Sequence, residues 1–201
     1  MGFFWKFKAS IENQPDYKIK VIRSDNGTEY NSDRFEEFCA TASIEHQLTV
    51  TCIPQQNGVS NGKSRTVMGM ARHLMFEKNL PKKFWAEAVN TSMYLLNRLP
   101  TKALKKKTPF EALSGVKPMV KHLRIFGCIC YAHIPEIKRD KLDKKVEAGI
   151  FAGYSSNAKG YKIFNPLIEK VIVSKNVKFD ENIVGIGNKH KLILGSSSQL
   201  S

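Results

Sequence analysis

Acidic residues are scarce in this chain, and long apolar runs are missing from it. The 201 residues include 18 Asp and Glu against 32 Lys and Arg, which gives a formal net charge of +14. No run of eighteen apolar residues occurs, so we expect no membrane span. The basic surplus favours a polyanionic partner, and a solvated basic face that aids solubility is the alternative interpretation.

Cysteine is also sparse, and its spacing argues against a zinc site. The four cysteines are Cys39, Cys52, Cys128 and Cys130. None forms a Cys-x-x-Cys pair, and no histidine stands at the spacing of a zinc ligand. We therefore interpret them as reduced, buried, small apolar side chains of an intracellular protein.

The positive charge is unevenly distributed along the chain. Residues 1–57 carry six Lys and Arg against eight Asp and Glu, whereas residues 58–120 carry twelve against three. Residues 121–201 carry fourteen against seven. The surplus therefore begins near residue 58, which suits a polyanion lying across the later part of the chain.

Asp25 follows a stretch, residues 17–22, whose alternation of apolar and basic residues predicts a half-buried strand. Residues 22–30 read Ile-Arg-Ser-Asp-Asn-Gly-Thr-Glu-Tyr. Taken alone, Asp-Asn-Gly is a strong turn signal, because Asn and Gly tolerate left-handed backbone geometry. A turn residue and a functional carboxylate at a strand end are both open interpretations of Asp25.

A second polar motif, Pro-Gln-Gln-Asn-Gly-Val-Ser-Asn-Gly-Lys-Ser-Arg, occupies residues 54–65. Its Asn61 is separated from Asp25 by thirty-five residues. With Gly58 and Ser60 beside it, Asn61 alone is typical of the start of a helix. The polar stretch 51–58 serves either as a loop that contacts a substrate or as a plain connector.

Together the two motifs closely resemble the catalytic half of a Ty1/copia-type retrotransposon integrase. That family carries an Asp, thirty-five residues and then a Glu, whereas position 61 here is Asn. The resemblance implies Mg²⁺ or Mn²⁺ in the ancestral enzyme, with Asp25 as the retained metal ligand and Asn61 in the place of the lost Glu. The family's first Asp is expected upstream of residue 1. With two of three carboxylates missing, we expect no independent catalysis and no productively bound metal.

The resemblance also implies non-specific DNA binding, with integrase-like subunits among the partners and the nucleus as the location of a functional protein. The residues implied to contact DNA lie in the polar loop and on the following helix: Gln55, Gln56, Asn57, Lys63, Arg65 and Arg72. Cys52 stands where the family usually has Tyr, and Gly62 stands where it has Arg. Both departures remove an expected contact.

Helical patterns predict most of the structure up to residue 117. The predicted helices cover residues 32–40, 59–78, a segment opened by Pro81, and 108–113 with Thr108 as its cap. Residues 1–12 resemble the helix that follows the first three strands of the Ty1/copia integrase core. A short strand is predicted at 46–50. Trp85 falls among aliphatic residues at helical spacing, so we predict that it belongs to the core.

Beyond residue 117 the apolar period changes to two. Strands are predicted over 123–133, 147–154, 160–165 and 170–179, which suggests a small barrel. Phe126-Gly127-Cys128, Phe151-Ala152-Gly153-Tyr154 and Val177-Lys178-Phe179-Asp180-Glu181 resemble the SH3-like module that follows the copia integrase core.

The predicted fold class is α/β then β, a truncated ribonuclease-H-like integrase core followed by a small SH3-like β-barrel. The core covers 1–117 with its first strands missing, the barrel 118–181, and a loose tail 182–201. The leading function is an inactive integrase remnant with nucleic-acid-binding ancestry. The alternatives are a non-enzymatic protein-interaction module, or a subunit complemented in trans by a full-length integrase.

Overall fold

A computed structural model of the protein describes residues 2–13, 18–25, 27–28, 30–49, 58–134, 145–156 and 158–182. The chain divides into two compact units, residues 1–65 and residues 66–201. The sequence boundary between residues 117 and 118 lies inside the second unit, and it stays a prediction of where two sequence modules meet. No helix among the described residues is both long enough and apolar enough to cross a membrane.

The first unit contains two helices, two strands and the start of a third helix. These elements are α1 (Gly2–Glu12), β1 (Val21–Ser24), α2 (Asp33–Thr41), β2 (Glu45–Leu48) and the first turns of α3 (Gly58–Glu77). β1 and β2 pair in parallel, with Val21 opposite Glu45 and Ser24 opposite Leu48. The strand predicted over 17–22 was placed too early, because the ladder with β2 begins only at Val21.

Aromatic side chains form the core of the first unit. Phe35, Phe38 and Cys39 make the buried stripe of α2, and Ile44 is buried with them. Phe4 of α1 meets the edge of the Phe35 ring with 5.3 Å between centroids. Edge-to-face contacts of this kind add to the free energy of apolar burial.

The second unit begins with the remaining turns of α3 and continues through two helices and five strands. These are α4 (Trp85–Leu96), α5 (Pro109–Ser114), β3 (Ile129–His133), β4 (Val146–Tyr154), β5 (Tyr161–Asn165), β6 (Lys170–Ser174) and β7 (Val177–Asp180). Pro81 precedes a 3₁₀ turn, Lys82–Phe84, rather than opening α4 itself. Thr108 caps α5 as predicted, since its hydroxyl accepts a hydrogen bond from the Glu111 amide at 3.1 Å.

The five strands form one antiparallel sheet in the order β6-β5-β4-β3-β7. The single strand predicted over 170–179 was wrong. Lys175 and Asn176 form a bend that separates two strands, β6 and β7, which lie at opposite edges of the sheet. Among the described strands these two edges do not pair, so the predicted barrel is an open sheet here. The strand predicted from residue 123 begins at Ile129.

The two faces of this sheet bury different clusters. On one face Ile150, Ala152 and Phe164 pack against a buried set from α3, α4 and the segments around them: Ala71, Met75, Leu80, Phe84, Ala88 and Phe126. On the other face lie Cys128, Cys130, Ala132, Phe151 and Ile163. Helices α3 and α4 therefore share one core with the SH3-like sheet.

Trp85 departs from its prediction. The side chain is 37% exposed, while its neighbour Phe84 is 3% exposed and lies in the core. The helical pattern placed both on an apolar face, but only Phe84 reaches Phe164, with ring centroids 5.1 Å apart. A wide apolar stripe does not by itself say which of its edges a neighbouring sheet covers.

Candidate metal site and nucleic-acid surface

Asp25 lies directly after β1, at the strand end where the sequence placed it. Its side chain is exposed, and its Oδ1 accepts a hydrogen bond from the Gly27 amide at 3.3 Å. This bond, two residues along the chain, is the geometry of an Asx turn. The carboxylate thus shapes its own turn and still presents oxygen to solvent.

The two strands are tied together beside this carboxylate. Ser24, the last residue of β1, has its Oγ 2.8 Å from Nε2 of His46 in β2. The same hydroxyl lies 3.1 Å from the Asp25 carbonyl oxygen, to which it donates. These contacts fix the backbone at Asp25 while leaving its side chain free to bind a cation.

Asn61 occupies the fourth residue of α3, in the same compact unit as Asp25. Its side chain is exposed and offers a neutral amide oxygen, where a carboxylate would bring a negative charge. Among the described residues, no group of three His, Cys, Asp or Glu side chains is placed to hold a metal ion. Asp25 and Asn61 therefore do not fit a two-metal site, which needs several converging carboxylates.

The first turns of α3 present an entirely exposed polar surface. Every residue from Gly58 to Thr66 is exposed, including Lys63 and Arg65, and Arg72 is exposed farther along the helix. A helix turns by about 100° per residue, so Asn61, Arg65 and Arg72 fall on one face and Lys63 falls on nearly the opposite face. Two of the three predicted helix cations, Arg65 and Arg72, therefore share a face of this helix, and Lys63 does not.

The remaining predicted contacts lie elsewhere. Gln55, Gln56 and Asn57 are outside the described residues, so the proposed DNA-contacting loop stays a prediction. The loop after α4 carries four lysines, all of them exposed: Lys102, Lys105, Lys106 and Lys107. Residues 101–107 contain no Asp or Glu, so these four lysines give the loop a net positive charge.

A cluster of aromatic and cationic side chains in the second unit escaped the sequence reasoning. Arg98 lies over the Tyr94 ring at 3.5 Å and over Phe110 at 5.0 Å. Tyr94 stacks on Tyr154 with 4.2 Å between centroids, and its hydroxyl lies 2.7 Å from Nε2 of His122. The helical spacing of Tyr94 and Arg98 was the available signal. Because its guanidinium is occupied by rings, Arg98 is a poor candidate for binding phosphate.

Burial dominates the protonation behaviour of this cluster. Desolvation raises the pKa of Tyr154 to about 12 and raises the pKa of Tyr94. Desolvation, together with the charges of Arg98 and Arg124, lowers the pKa of His122. These groups are therefore held neutral, which suits a structural cluster better than acid–base catalysis.

The comparisons with known proteins bear on both parts of the chain. Residues 128–192 match the family model described as retroviral polymerase SH3-like domain. The Pol polyprotein from transposon TNT 1-94 of Nicotiana tabacum is 41% identical over 181 residues, covering 90% of this chain and 14% of that polyprotein. The polyprotein from transposon RE1 of Arabidopsis thaliana is 33% identical over 185 residues, covering 92% and 12%.

The chain is homologous to part of the Ty1/copia-type Pol polyproteins of plant transposons. It spans only 12–14% of the length of these two polyproteins. The five-stranded sheet lies within the region of the chain that matches the SH3-like family model.

Solved integrase structures have only low structural similarity to this chain. The HTLV-2 integrase catalytic core domain in complex with magnesium has a TM-score of 0.42 at 21% identity, covering 56% of this chain and 66% of that one. The simian T-cell lymphotropic virus intasome in complex with a PP2A regulatory subunit has a TM-score of 0.45 at 18% identity, covering 88% and 61%.

Proposed function

We propose that this Pol segment is a DNA-binding, catalytically silent member of the integrase type. The observation that carries the proposal is the composition of one exposed face of α3. That face presents Asn61 where the family pattern has Glu, with Arg65 about one turn and Arg72 about three turns farther along the helix. The face retains cations that can bind phosphate and has lost the anion that would bind a metal.

The loss of catalysis follows from charge. Transfer of a DNA phosphoryl group by two metals requires carboxylates that neutralise the ions and fix their separation. An amide oxygen can coordinate Mg²⁺ but brings no negative charge, and Mg²⁺ gives up its water reluctantly. Asp25 alone supplies one carboxylate, so Mg²⁺ or Mn²⁺, the cofactors of the ancestral enzyme, are not held here in a productive pair.

DNA binding is supported by the retained cations. The net charge of +14 is concentrated after residue 57, and Arg65 and Arg72 are exposed rather than engaged by the core. Arginine on an exposed helix face contacts phosphates without reading sequence. Affinity of this kind arises from counterion release and falls steeply as salt rises.

The test is fluorescence anisotropy of a labelled duplex across a KCl series. The double variant Arg65→Gln/Arg72→Gln should weaken binding equally on unrelated sequences. Each lost phosphate contact lowers the slope of log affinity against log salt by about 0.9, so the double variant should lower it by about 2. The matched control, Lys20→Gln/Arg34→Gln, removes the same charge from exposed positions within residues 1–57, where acidic residues outnumber basic ones, and should leave the slope close to wild type.

Three outcomes contradict DNA binding by this face. They are no binding of the wild type at low salt, a flat salt dependence, and an equal loss in the control variant. Binding that survives in the arginine variant with an unchanged slope would move the DNA contact away from α3.

A further inference from the structure

Strand β6 lies at one edge of the described sheet. Its five residues, Lys170–Ser174, pair with β5 on one side, and no described strand pairs with the other side. Val171 and Val173 are 46% and 51% exposed, while Ile172 points to the opposite face. β-Branched residues favour strand geometry, and an uncovered strand edge of this composition readily accepts another strand.

The sequence of β6 is complementary to itself. If a second copy of β6 runs antiparallel about a two-fold axis at Ile172, each Val171 faces Val173 of the second copy. Lys170 then faces Ser174, so no two like charges are directly opposed within the strand. A two-fold symmetric dimer requires a surface that is complementary to itself, and β6 meets this requirement.

The charges that flank β6 follow the same symmetry. Glu169 precedes the strand in a turn, with φ +51°, and Lys175 follows it in a bend. The two-fold at Ile172 therefore brings Glu169 of each copy near Lys175 of the other, at the two ends of the paired strands. Both residues are exposed, and the Glu169 side chain, 77% exposed, has only a 3.4 Å contact with Lys83. Opposite charges facing each other across strands stabilise the pairing, whereas like charges oppose it.

The other edge strand, β7, lacks an exposed apolar pair. A two-fold centred on Phe179 would also set opposite charges against each other, Lys178 against Asp180. Val177 and Phe179, however, pack against the second buried cluster, and Arg124 lies over the Phe179 ring at 5.4 Å. The combination of an open edge with exposed valines is therefore found on β6 and not on β7.

We propose that β6 is a self-association surface, at which two copies of this chain join their sheets by antiparallel β6–β6 pairing centred on Ile172. Five residues a side form a small interface, so the dimer is weak and depends on protein concentration. Main-chain hydrogen bonds supply the attraction, the facing valines supply apolar contact, and the Glu169–Lys175 pairs set the register.

A charge-reversal cycle on the full chain tests the register. Sedimentation equilibrium should show a monomer–dimer equilibrium for the wild type. Glu169→Lys and Lys175→Glu each replace two attractive pairs by two repulsive ones and should each weaken dimerisation about tenfold, which corresponds to about 1.4 kcal/mol. The combined variant Glu169→Lys/Lys175→Glu restores opposite charges and should return the dissociation constant to within about threefold of wild type.

The control for Lys175→Glu is Lys117→Glu, which makes the same change of net charge at an exposed position outside the sheet. It should dimerise like wild type. The proposal is overturned by a 22.8 kDa monomer at every concentration, by single reversals that behave like the control, or by a combined variant as weak as the single ones.

A cross-linking experiment tests the same geometry without changing charge. Val171→Cys and Val173→Cys proteins should form an oxidised dimer on mixing, because the proposed register sets position 171 opposite position 173. Each variant alone should give much less oxidised dimer, because the introduced cysteines of its two copies lie two residues out of register with each other. Equal cross-linking in the mixed and unmixed samples would also overturn the proposal.

Discussion

At the residue scale, the difference between Asn61 and a glutamate decides what this segment can do with a metal. The amide keeps an oxygen that can coordinate but removes the charge and one methylene of reach. Asp25, by contrast, keeps its place at the end of β1 and uses part of its carboxylate to hold the Gly27 amide. Under the proposed function, Asp25 serves as a turn residue.

Restoring that one carboxylate should not restore chemistry. Asn61→Glu gives these residues two carboxylates, which is one fewer than the family pattern and too few for a metal pair. We expect no Mg²⁺- or Mn²⁺-dependent joining of DNA ends by the purified variant, with Asn61→Gln as the matched control. Metal-dependent joining by the glutamate variant alone would refute the explanation from charge.

His122 makes stability depend on pH. Burial and two arginines lower its pKa in the folded state below the ordinary value of 6.5, so the unfolded chain binds the proton more readily. Its contribution is therefore complete above about pH 6.5 and declines as the pH falls below that value. We expect the Tm of wild type to drop between pH 7.5 and pH 5.5, and His122→Gln to show a smaller drop. An equal drop in both proteins would assign the effect to other groups.

At the element scale, α4 is held against the sheet by an ion pair as well as by apolar contact. Lys162 of β5 reaches both carboxylate oxygens of Glu87, at 2.9 and 3.1 Å, and the two side chains are only 24% exposed. Gly153 of β4 lies close to this ion pair and adopts φ +128°. A Cβ added at Gly153 would lie 2.5 Å from Thr91 Oγ1 of α4. The helix thus packs on a bulged part of β4 that leaves no room for a side chain.

Removing one partner of this ion pair should loosen α4. Glu87→Gln leaves the Lys162 ammonium partly buried beside a neutral amide, and we expect a loss of about 1 kcal/mol in the free energy of unfolding. Glu169→Gln, which breaks the much more exposed contact with Lys83 and leaves Lys83 over the Phe164 ring, should cost less than about 0.5 kcal/mol. Urea denaturation of both variants measures the difference, and equal losses would show that burial does not strengthen the α4 pair.

The elements that could be predicted from sequence are those with local signals. Thr108 and Gly115 mark the two ends of α5, and the long periodic stretch predicted α3 to within one residue at each end. The break at Lys175 carries no Gly or Pro, so the strand over 170–179 was not divided in advance. Trp85 and Phe84 share one apolar stripe, and only the position of the sheet decides which of them is covered.

The residues of the candidate site likewise fall into those that the sequence predicts and those that only tertiary packing brings together. Asp25 and Asn61 could be identified from spacing, because motif and resemblance are properties of the sequence. The separation of Lys63 from Arg65 and Arg72 follows from helix geometry once the helix is continuous. The ring contacts of Arg98 depend on Phe110 and on the stacked Tyr94, which come together only through tertiary packing.

At the scale of the whole molecule, the core joins parts of the chain that the sequence modules separate. Phe84 and Ala88 lie before residue 117, and Phe126, Ile150 and Phe164 lie after it, yet all five belong to one buried cluster. Removing the helices would expose one face of the sheet to water, with a cost of about 25 cal/mol for each Å² of apolar surface.

This shared core predicts how pieces of the chain behave. Residues 66–182 should unfold cooperatively and at a higher temperature than residues 118–182, which form a domain of about 60 residues with marginal burial of its own. Thermal unfolding followed by circular dichroism, with both pieces at equal concentration, gives the comparison. Equal transition temperatures would show that the sheet is self-sufficient and would support the boundary at residue 117.

The cluster around Phe84 and Phe164 also limits how such polyproteins can be recombined. A crossover between residues 117 and 118 would combine helices from one element with a sheet from another, and their facing side chains would not have been selected together. Exchange of residues 66–182 as one block keeps every contact of that cluster within a single parent. Chimeras between this chain and its plant relatives should therefore tolerate a junction near residue 65 better than one at the SH3-like boundary.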